Sequence, residues 1–110
     1  MVREDVPLAV PGIVLQEVLS GVRTEAQFFR LRNLLEAFPI LVAEQRDHVA
    51  AARIANACRR KGVTTSAVDC LISALATERD APLLTLDEDF ARIARHSDLK
   101  LLRVGEHAGA

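Results

Sequence analysis

Four acidic residues stand at positions where a plain hydrophobic core would not place a carboxylate: Glu17, Asp69, Asp87 and Asp89. Carboxylates that cluster repel one another and raise each other's pKa, so a protein that gathers them usually supplies a compensating cation. Oxygen ligands without His or Cys select Mg²⁺ or Mn²⁺. Such an ion is suited to phosphoryl chemistry, because it activates a water and neutralises charge that develops on a phosphate.

Two of these acids also have a structural explanation in the local sequence. Glu17 falls between Ile13 and Val14 around a predicted helix, on the margin of its apolar side, where a glutamate can still reach water. Asp69 lies three positions after Ser66 at the start of another predicted helix. This spacing approximates a capping box, and the helix dipole favours a negative charge there.

Asp87 and Asp89 directly follow an apolar strand that ends near Leu84. In parallel α/β sheets, ligands bind beyond the carboxyl ends of the strands, so acids at this point are placed for a site. A helix cap formed by Thr85 with Glu88 explains the same segment without any ligand. The local sequence leaves both explanations open.

Apolar periodicity and capping residues predict strands that alternate with helices, which is typical of an α/β fold with a largely parallel sheet. Thr24 and Ser66 are expected to cap helices, and Pro39 and Gly62 to end them. The predicted strands are 6–10, 40–43, 81–85 and 100–104, and the predicted helices are 12–21, 24–38, 45–61, 67–79 and 87–95. The apolar side of the longest helix is predicted to contain Val49, Ala52, Ile54, Ala57 and Cys58.

Three segments in this order resemble motifs of the PIN-domain ribonucleases, in particular the VapC-type toxins. Segment 10–21 (VPGIVLQEVLSG) is similar to a strand that ends in proline, followed by a helix with a glutamate. Segment 62–76 (GVTTSAVDCLISALA) is similar to the polar loop and aspartate helix of that family, and 81–90 (APLLTLDEDF) to its Thr-x-Asp-x-Asp-Phe signature. The resemblance covers roughly residues 6 to 104.

The resemblance implies that Glu17, Asp69 and Asp87 are catalytic metal-site carboxylates for Mg²⁺ or Mn²⁺, with Asp89 as a fourth acid. It implies supporting roles for Thr85, Thr65 and Ser66. The implied reaction is metal-assisted hydrolysis of RNA. The implied partners are an RNA substrate, a VapB-type antitoxin and a second copy of the chain in a homodimer.

The implied fold is a PIN-like three-layer α/β/α sandwich with a mostly parallel sheet, formed by a single domain over residues 1–110. The opening segment lacks the apolar strand ending in aspartate with which members of the family begin. Asp5 is no substitute, because it precedes the strand that leads to Glu17. We therefore expect a domain that is N-terminally incomplete and lacks the family's first central strand.

Two further functions are compatible with parts of the sequence. A non-catalytic PIN-like binding module, which keeps the dimer and antitoxin surfaces, follows from the missing first aspartate. A receiver-like domain that accepts phosphate on an aspartate also needs carboxylates at strand ends. That class also needs a lysine after a late strand, and Lys100 instead begins one.

The composition disfavours a strongly basic nucleic-acid binder, a disulfide-bonded protein and a membrane protein. Fourteen Lys and Arg balance 15 Asp and Glu, so the chain lacks the basic excess typical of strong, non-specific nucleic-acid binders. Cys58 and Cys70 have no metal-ligand spacing and lie in apolar helical patterns, as reduced cytosolic cysteines do. No stretch approaches the roughly 18 apolar residues of a membrane span. We expect a cytoplasmic protein that has no membrane contact.

Overall fold

The computed structural model describes residues 8–102, which contain five helices and four two-residue strands. The chain divides into two compact units, Met1–Val42 and Ala43–Ala110. Whether residues 1–110 act as a single domain stays a prediction. The elements in chain order are β1 (Val10–Pro11), α1 (Gly12–Ser20), α2 (Glu25–Leu35), β2 (Ile40–Leu41), α3 (Gln45–Arg60), α4 (Ala67–Glu78), β3 (Leu83–Leu84), α5 (Glu88–Ala94) and β4 (Leu101–Leu102).

In the first unit, β1 and β2 pair in parallel, with Val10 opposite Ile40. The Val10 amide donates a hydrogen bond of 2.8 Å to the Pro39 carbonyl. Parallel strands need a long crossover connection, which α1 and α2 supply here. Of the predicted strand 6–10, only Val10 lies in β1; residues 8 and 9 are not in a strand, and residues 6 and 7 lie outside the described part of the chain.

Helix α2 begins at the predicted cap and ends earlier than predicted. The Gln27 amide donates to Thr24 Oγ1 at 3.2 Å, which satisfies one of the free amides of the first turn. The helix ends at Leu35 rather than near Phe38, and the Phe38 amide closes a turn on the Leu35 carbonyl at 3.1 Å. Pro39 disfavours helical geometry at Phe38, and the residues between Leu35 and Pro39 form i, i+3 turn bonds in place of a further helical turn.

The buried apolar side chains among the described residues all lie in the second unit. They belong mainly to α3, α4 and α5, and Cys58, Ala74 and Ile93 are completely inaccessible. The full set is Ala51, Ile54, Cys58, Cys70, Ile72, Ala74, Leu75, Ala76, Phe90, Ile93 and Leu99. This core supports the segments that contain Asp69 and Asp87.

The buried side of α3 differs from the predicted one. Val49 and Ala52 are exposed, whereas Asp47, Ala51 and Ile54 are buried together with Cys58. The observed set follows the spacing i, i+4, i+7 and i+11, which is a regular helical stripe. The prediction is confirmed for Ile54 and Cys58 and is wrong for Val49 and Ala52, and it did not include Asp47 and Ala51.

Asp47 is buried because Arg79, just past the end of α4, neutralises it. Arg79 Nη1 lies 2.8 Å from Asp47 Oδ1, and Arg79 Nη2 lies 3.0 Å from Oδ2, so the two groups form a paired contact. The Glu44 amide donates to Asp47 Oδ2 at 2.8 Å, and Arg79 Nη1 donates to the Leu75 carbonyl at 3.0 Å. This network joins the start of α3 to the end of α4.

Strands β3 and β4 also pair in parallel, with Leu83 opposite Leu101. Both are shorter than the predicted strands 81–85 and 100–104, because two residues of each strand pair within the described part of the chain. Residues 103 and 104 lie outside that part. The predicted alternation of helices with parallel strands is confirmed. No helix within residues 8–102 has the length and apolar character needed to cross a bilayer.

Replacing Asp47 by Asn should lower the free energy of unfolding by about 2 kcal/mol at neutral pH. The hydrogen bonds from Arg79 lower the pKa of Asp47 from 3.8 to about 2, despite the opposing effect of burial. A lowered pKa means that the ionised form stabilises the fold above about pH 4, and that this contribution is lost as pH falls towards 2. Urea unfolding of both proteins between these pH values measures the effect.

Asp80→Asn is the matched control, because the Asp80 side chain forms an ion pair with Lys100 but is 84% exposed. Exposed ion pairs contribute little, and Asn also tolerates the positive φ of 50° at this position. Equal losses of stability in the two variants, or an acid transition unchanged by Asp47→Asn, would contradict this account of the buried pair.

Candidate active site

Asp69 lies in the first turn of α4 and is half-buried. Its amide donates to Ser66 Oγ at 3.0 Å, so Ser66 is the helix cap that the sequence predicted. The Asp69 carbonyl accepts a hydrogen bond of 2.8 Å from Ser73 Oγ. The backbone at Asp69 is therefore fixed from both sides, and its carboxylate lies at the helix end that favours negative charge.

Thr65 contacts the core rather than open solvent. Its Oγ1 lies 3.1 Å from Sγ of the buried Cys70, and either atom can donate. Thr65 is half-buried and Ser66 is exposed. Of these two residues, for which the resemblance implies supporting roles, Ser66 is thus the accessible one, and Thr65 holds the loop against α4.

Asp87 is the N-cap of α5. Its Oδ1 accepts a hydrogen bond of 2.9 Å from the Asp89 amide, and its own amide donates to Thr85 Oγ1 at 3.0 Å. The predicted cap of Thr85 with Glu88 is therefore replaced by a cap on Asp87 itself. Thr85 supports this turn through its hydroxyl, and its predicted role towards the acid stays a prediction.

Asp89 is neutralised by a residue that sequence reasoning did not select. Arg92, one turn further along α5, donates from Nη2 to Asp89 Oδ1. The i, i+3 spacing of an acid and an arginine on a predicted helix was the available signal. The structure brings Asp87 and Asp89 together with Thr85 in one turn, and Arg92 balances part of their charge.

Glu17 lies in the first unit, on α1, and its side chain is exposed. Ile13 and Val14 of the same helix are half-buried, and α1 has no fully buried residue. The marginal position predicted from the helical pattern is therefore found, and the carboxylate reaches solvent.

The oxygen donors of these residues are the type that Mg²⁺ and Mn²⁺ prefer. Within residues 8–102, however, no group of three His, Cys, Asp or Glu side chains has an arrangement that could hold a metal ion. The donor chemistry fits the implied ion, whereas a complete set of ligands is not formed by the described residues. Metal binding accordingly stays a prediction.

Comparison with known proteins adds an independent finding. A family model described as PIN domain matches residues 2–96. The VapC ribonuclease Mb1587 of Mycobacterium bovis and the ribonuclease VapC11 of Mycobacterium tuberculosis are each 38% identical to this chain over 89 residues. Each match covers 79% of this chain but only 66% of the relative, just under two thirds of its length.

Solved structures with similar folds include VapBC-1 from nontypeable Haemophilus influenzae, with a TM-score of 0.77 and 21% identity, covering 94% of this chain and 78% of that one. VapBC-5, of the VapBC family of toxin-antitoxin systems from Mycobacterium tuberculosis, gives a TM-score of 0.76 at 22% identity, covering 87% of this chain and 81% of that one. The α/β fold class predicted from the sequence is confirmed by these similarities.

Two substitutions at position 87 distinguish the contribution of helix capping to stability from the contribution of the negative charge. Asp87→Ala removes the acceptor for the Asp89 amide and should cost about 1 kcal/mol of stability, whereas Asp87→Asn should cost much less because Asn caps helices almost as well as Asp. Thermal and urea unfolding of the three proteins measure this. A loss as large in Asp87→Asn as in Asp87→Ala would show that charge, not capping, is what the fold needs here.

Proposed function

This chain belongs to the PIN-domain family, and from that premise we propose that it is a metal-dependent endoribonuclease toxin of the VapC type. The observation that carries the proposal is the order of three acid motifs, at Glu17, Asp69 and Asp87, in a chain 38% identical to proteins named as VapC ribonucleases. The names of these relatives support a nuclease over the alternative of a non-catalytic binding module.

In the proposed site, Glu17, Asp69, Asp87 and Asp89 provide carboxylate oxygens for Mg²⁺ or Mn²⁺. A bound divalent ion would activate a water and neutralise the charge that develops on the scissile phosphate. The fold itself must position these negatively charged carboxylates close together. The start of a helix favours the negative charge of both Asp69 and Asp87, and the Asp89 amide also donates to the Asp87 carboxylate.

The supporting residues act on the backbone that presents the acids. Ser66 Oγ accepts from the Asp69 amide, and Thr85 Oγ1 accepts from the Asp87 amide, so each hydroxyl fixes the start of the turn in which its acid lies. Thr65 holds the loop before α4 through its contact with Cys70. Arg92 lowers the repulsion between Asp89 and Asp87.

The proposed partners follow from the same relationship. The two structural neighbours named above are VapBC proteins, and VapBC-5 belongs to a family of toxin-antitoxin systems. We extend this to a VapB-type antitoxin, an RNA substrate and a homodimer for this chain, acting in the cytoplasm. Which RNA is cut would be decided by pocket shape and loop contacts that no motif in the sequence encodes.

Asp69→Asn should abolish RNA cleavage by the purified chain and leave its fold intact. Asn keeps the hydrogen bond from the backbone amide to Ser66 Oγ and the size of the side chain, but it removes the charge that a metal ion needs. Cleavage of a mixed-sequence single-stranded RNA in the presence of Mn²⁺, with and without EDTA, measures the activity, and circular dichroism checks the fold.

Asp80→Asn is the matched control, because Asp80 is an exposed aspartate of the same unit that pairs with Lys100 and lies outside the proposed site. It should retain wild-type cleavage. Cleavage that persists in Asp69→Asn and in EDTA would rule out the proposed mechanism, and an inactive wild-type chain would favour the binding module.

A further inference from the structure

A basic groove on the second unit lies away from the proposed acids. It has a volume of about 580 Å³ and is lined by the first half of α3 and the end of α4. Asp69 lies nine residues before Glu78 on α4, which places the groove about 13 Å along that helix from the acid. The lining residues are Gln45, Arg46, Val49, Ala50, Arg53 and Glu78.

Four of these residues form the pattern that receives a side chain from a second helix. Arg46, Val49, Ala50 and Arg53 are spaced i, i+3, i+4 and i+7, which is the four-residue hole of knobs-into-holes packing. Val49 is 49% exposed, an apolar side chain at the centre of the groove. Ala50 is small and only half-buried, so it leaves room for a leucine-sized knob.

The charge at the two ends of this hole indicates what the second helix must present. Neither Arg46 nor Arg53 has an ion-pair partner among residues 8–102, and both are exposed. A separation of seven residues places them about 10 Å apart along α3. A docked helix with acids seven residues apart would pair with both arginines at once while its apolar side chain enters the hole between them.

We propose that this groove binds an amphipathic acidic helix of another protein, with a leucine-like residue seated on Val49 and Ala50 and flanking carboxylates on Arg46 and Arg53. The groove is independent of the proposed nuclease site.

The same residues disfavour the other occupants. A second copy that docks through the same face would place Arg46 against Arg46 or Arg53 of its partner, and like charges repel in either orientation. A nucleic acid would leave the apolar surface of Val49 without a partner. An acidic helix matches both the charge and the apolar centre.

The test uses a fluorescent helical peptide of about 20 residues, long enough to hold a helix in water. It has one leucine between two glutamates that are seven residues apart in an alanine-rich background. One control peptide replaces both glutamates by lysine, and another replaces the leucine by serine. Binding to the full chain is measured by fluorescence anisotropy at low and at higher salt.

The double variant Arg46→Ala/Arg53→Ala should weaken binding of the glutamate peptide about tenfold, with a smaller salt dependence. Val49→Asp should weaken it by at least as much. Arg59→Ala is the matched control, because Arg59 lies on the opposite face of α3, where it donates to Asn56 Oδ1 at 2.8 Å. This variant should bind as the wild type does.

Equal binding of the lysine peptide or the serine peptide would overturn the proposal, as would an equal loss in Arg59→Ala. A single-stranded RNA that binds more tightly than the glutamate peptide, and loses that binding in the double arginine variant, would reassign the groove to nucleic acid. A dimer in sedimentation that Val49→Asp dissociates would reassign it to a second copy. All substitutions are at exposed positions, and circular dichroism verifies that each variant folds.

Discussion

The buried ion pair between Asp47 and Arg79 is the interaction on which the second unit depends. Asp47 is completely inaccessible, and both of its oxygens accept from the Arg79 guanidinium, with a further bond from the Glu44 amide. A charge buried in this way is tolerated only when its partner and its hydrogen bonds are in place. The pair therefore requires the start of α3 to meet the end of α4, and this fixes how the two helices pack.

That packing decides where the proposed chemistry can occur. The ion pair between Asp47 and Arg79 joins the start of α3 to the end of α4. At the opposite end of α4, Ser66 caps the helix through the Asp69 amide. The acid thus lies at a helix start, supported by a core of small and aliphatic side chains. Asp87 follows the same logic, since it too begins a helix and accepts a backbone amide. At Asp69 the structural hydrogen bond uses the backbone amide, whereas at Asp87 it uses Oδ1 of the carboxylate that is also proposed to bind the metal ion.

Much of this arrangement is predictable from the sequence. Thr24 and Ser66 cap helices as their spacing predicted, and the motif order around Asp69 and Asp87 indicated the family that the comparisons then showed. The strands were less predictable, because their length depends on partners that are distant in sequence. Asp47 escaped prediction for the same reason: its compensating arginine lies 32 residues away, and no local pattern marks an aspartate as buried.

The metal site is the part that sequence alone cannot fix, because it requires acids from separate elements to converge. Isothermal titration of Mn²⁺ into the wild-type chain and into Asp69→Asn tests this most directly. The account predicts specific binding by the wild type that is lost in the variant. Absence of binding in both proteins, or unchanged binding in Asp69→Asn, would contradict it and leave the chain without the metal chemistry proposed here.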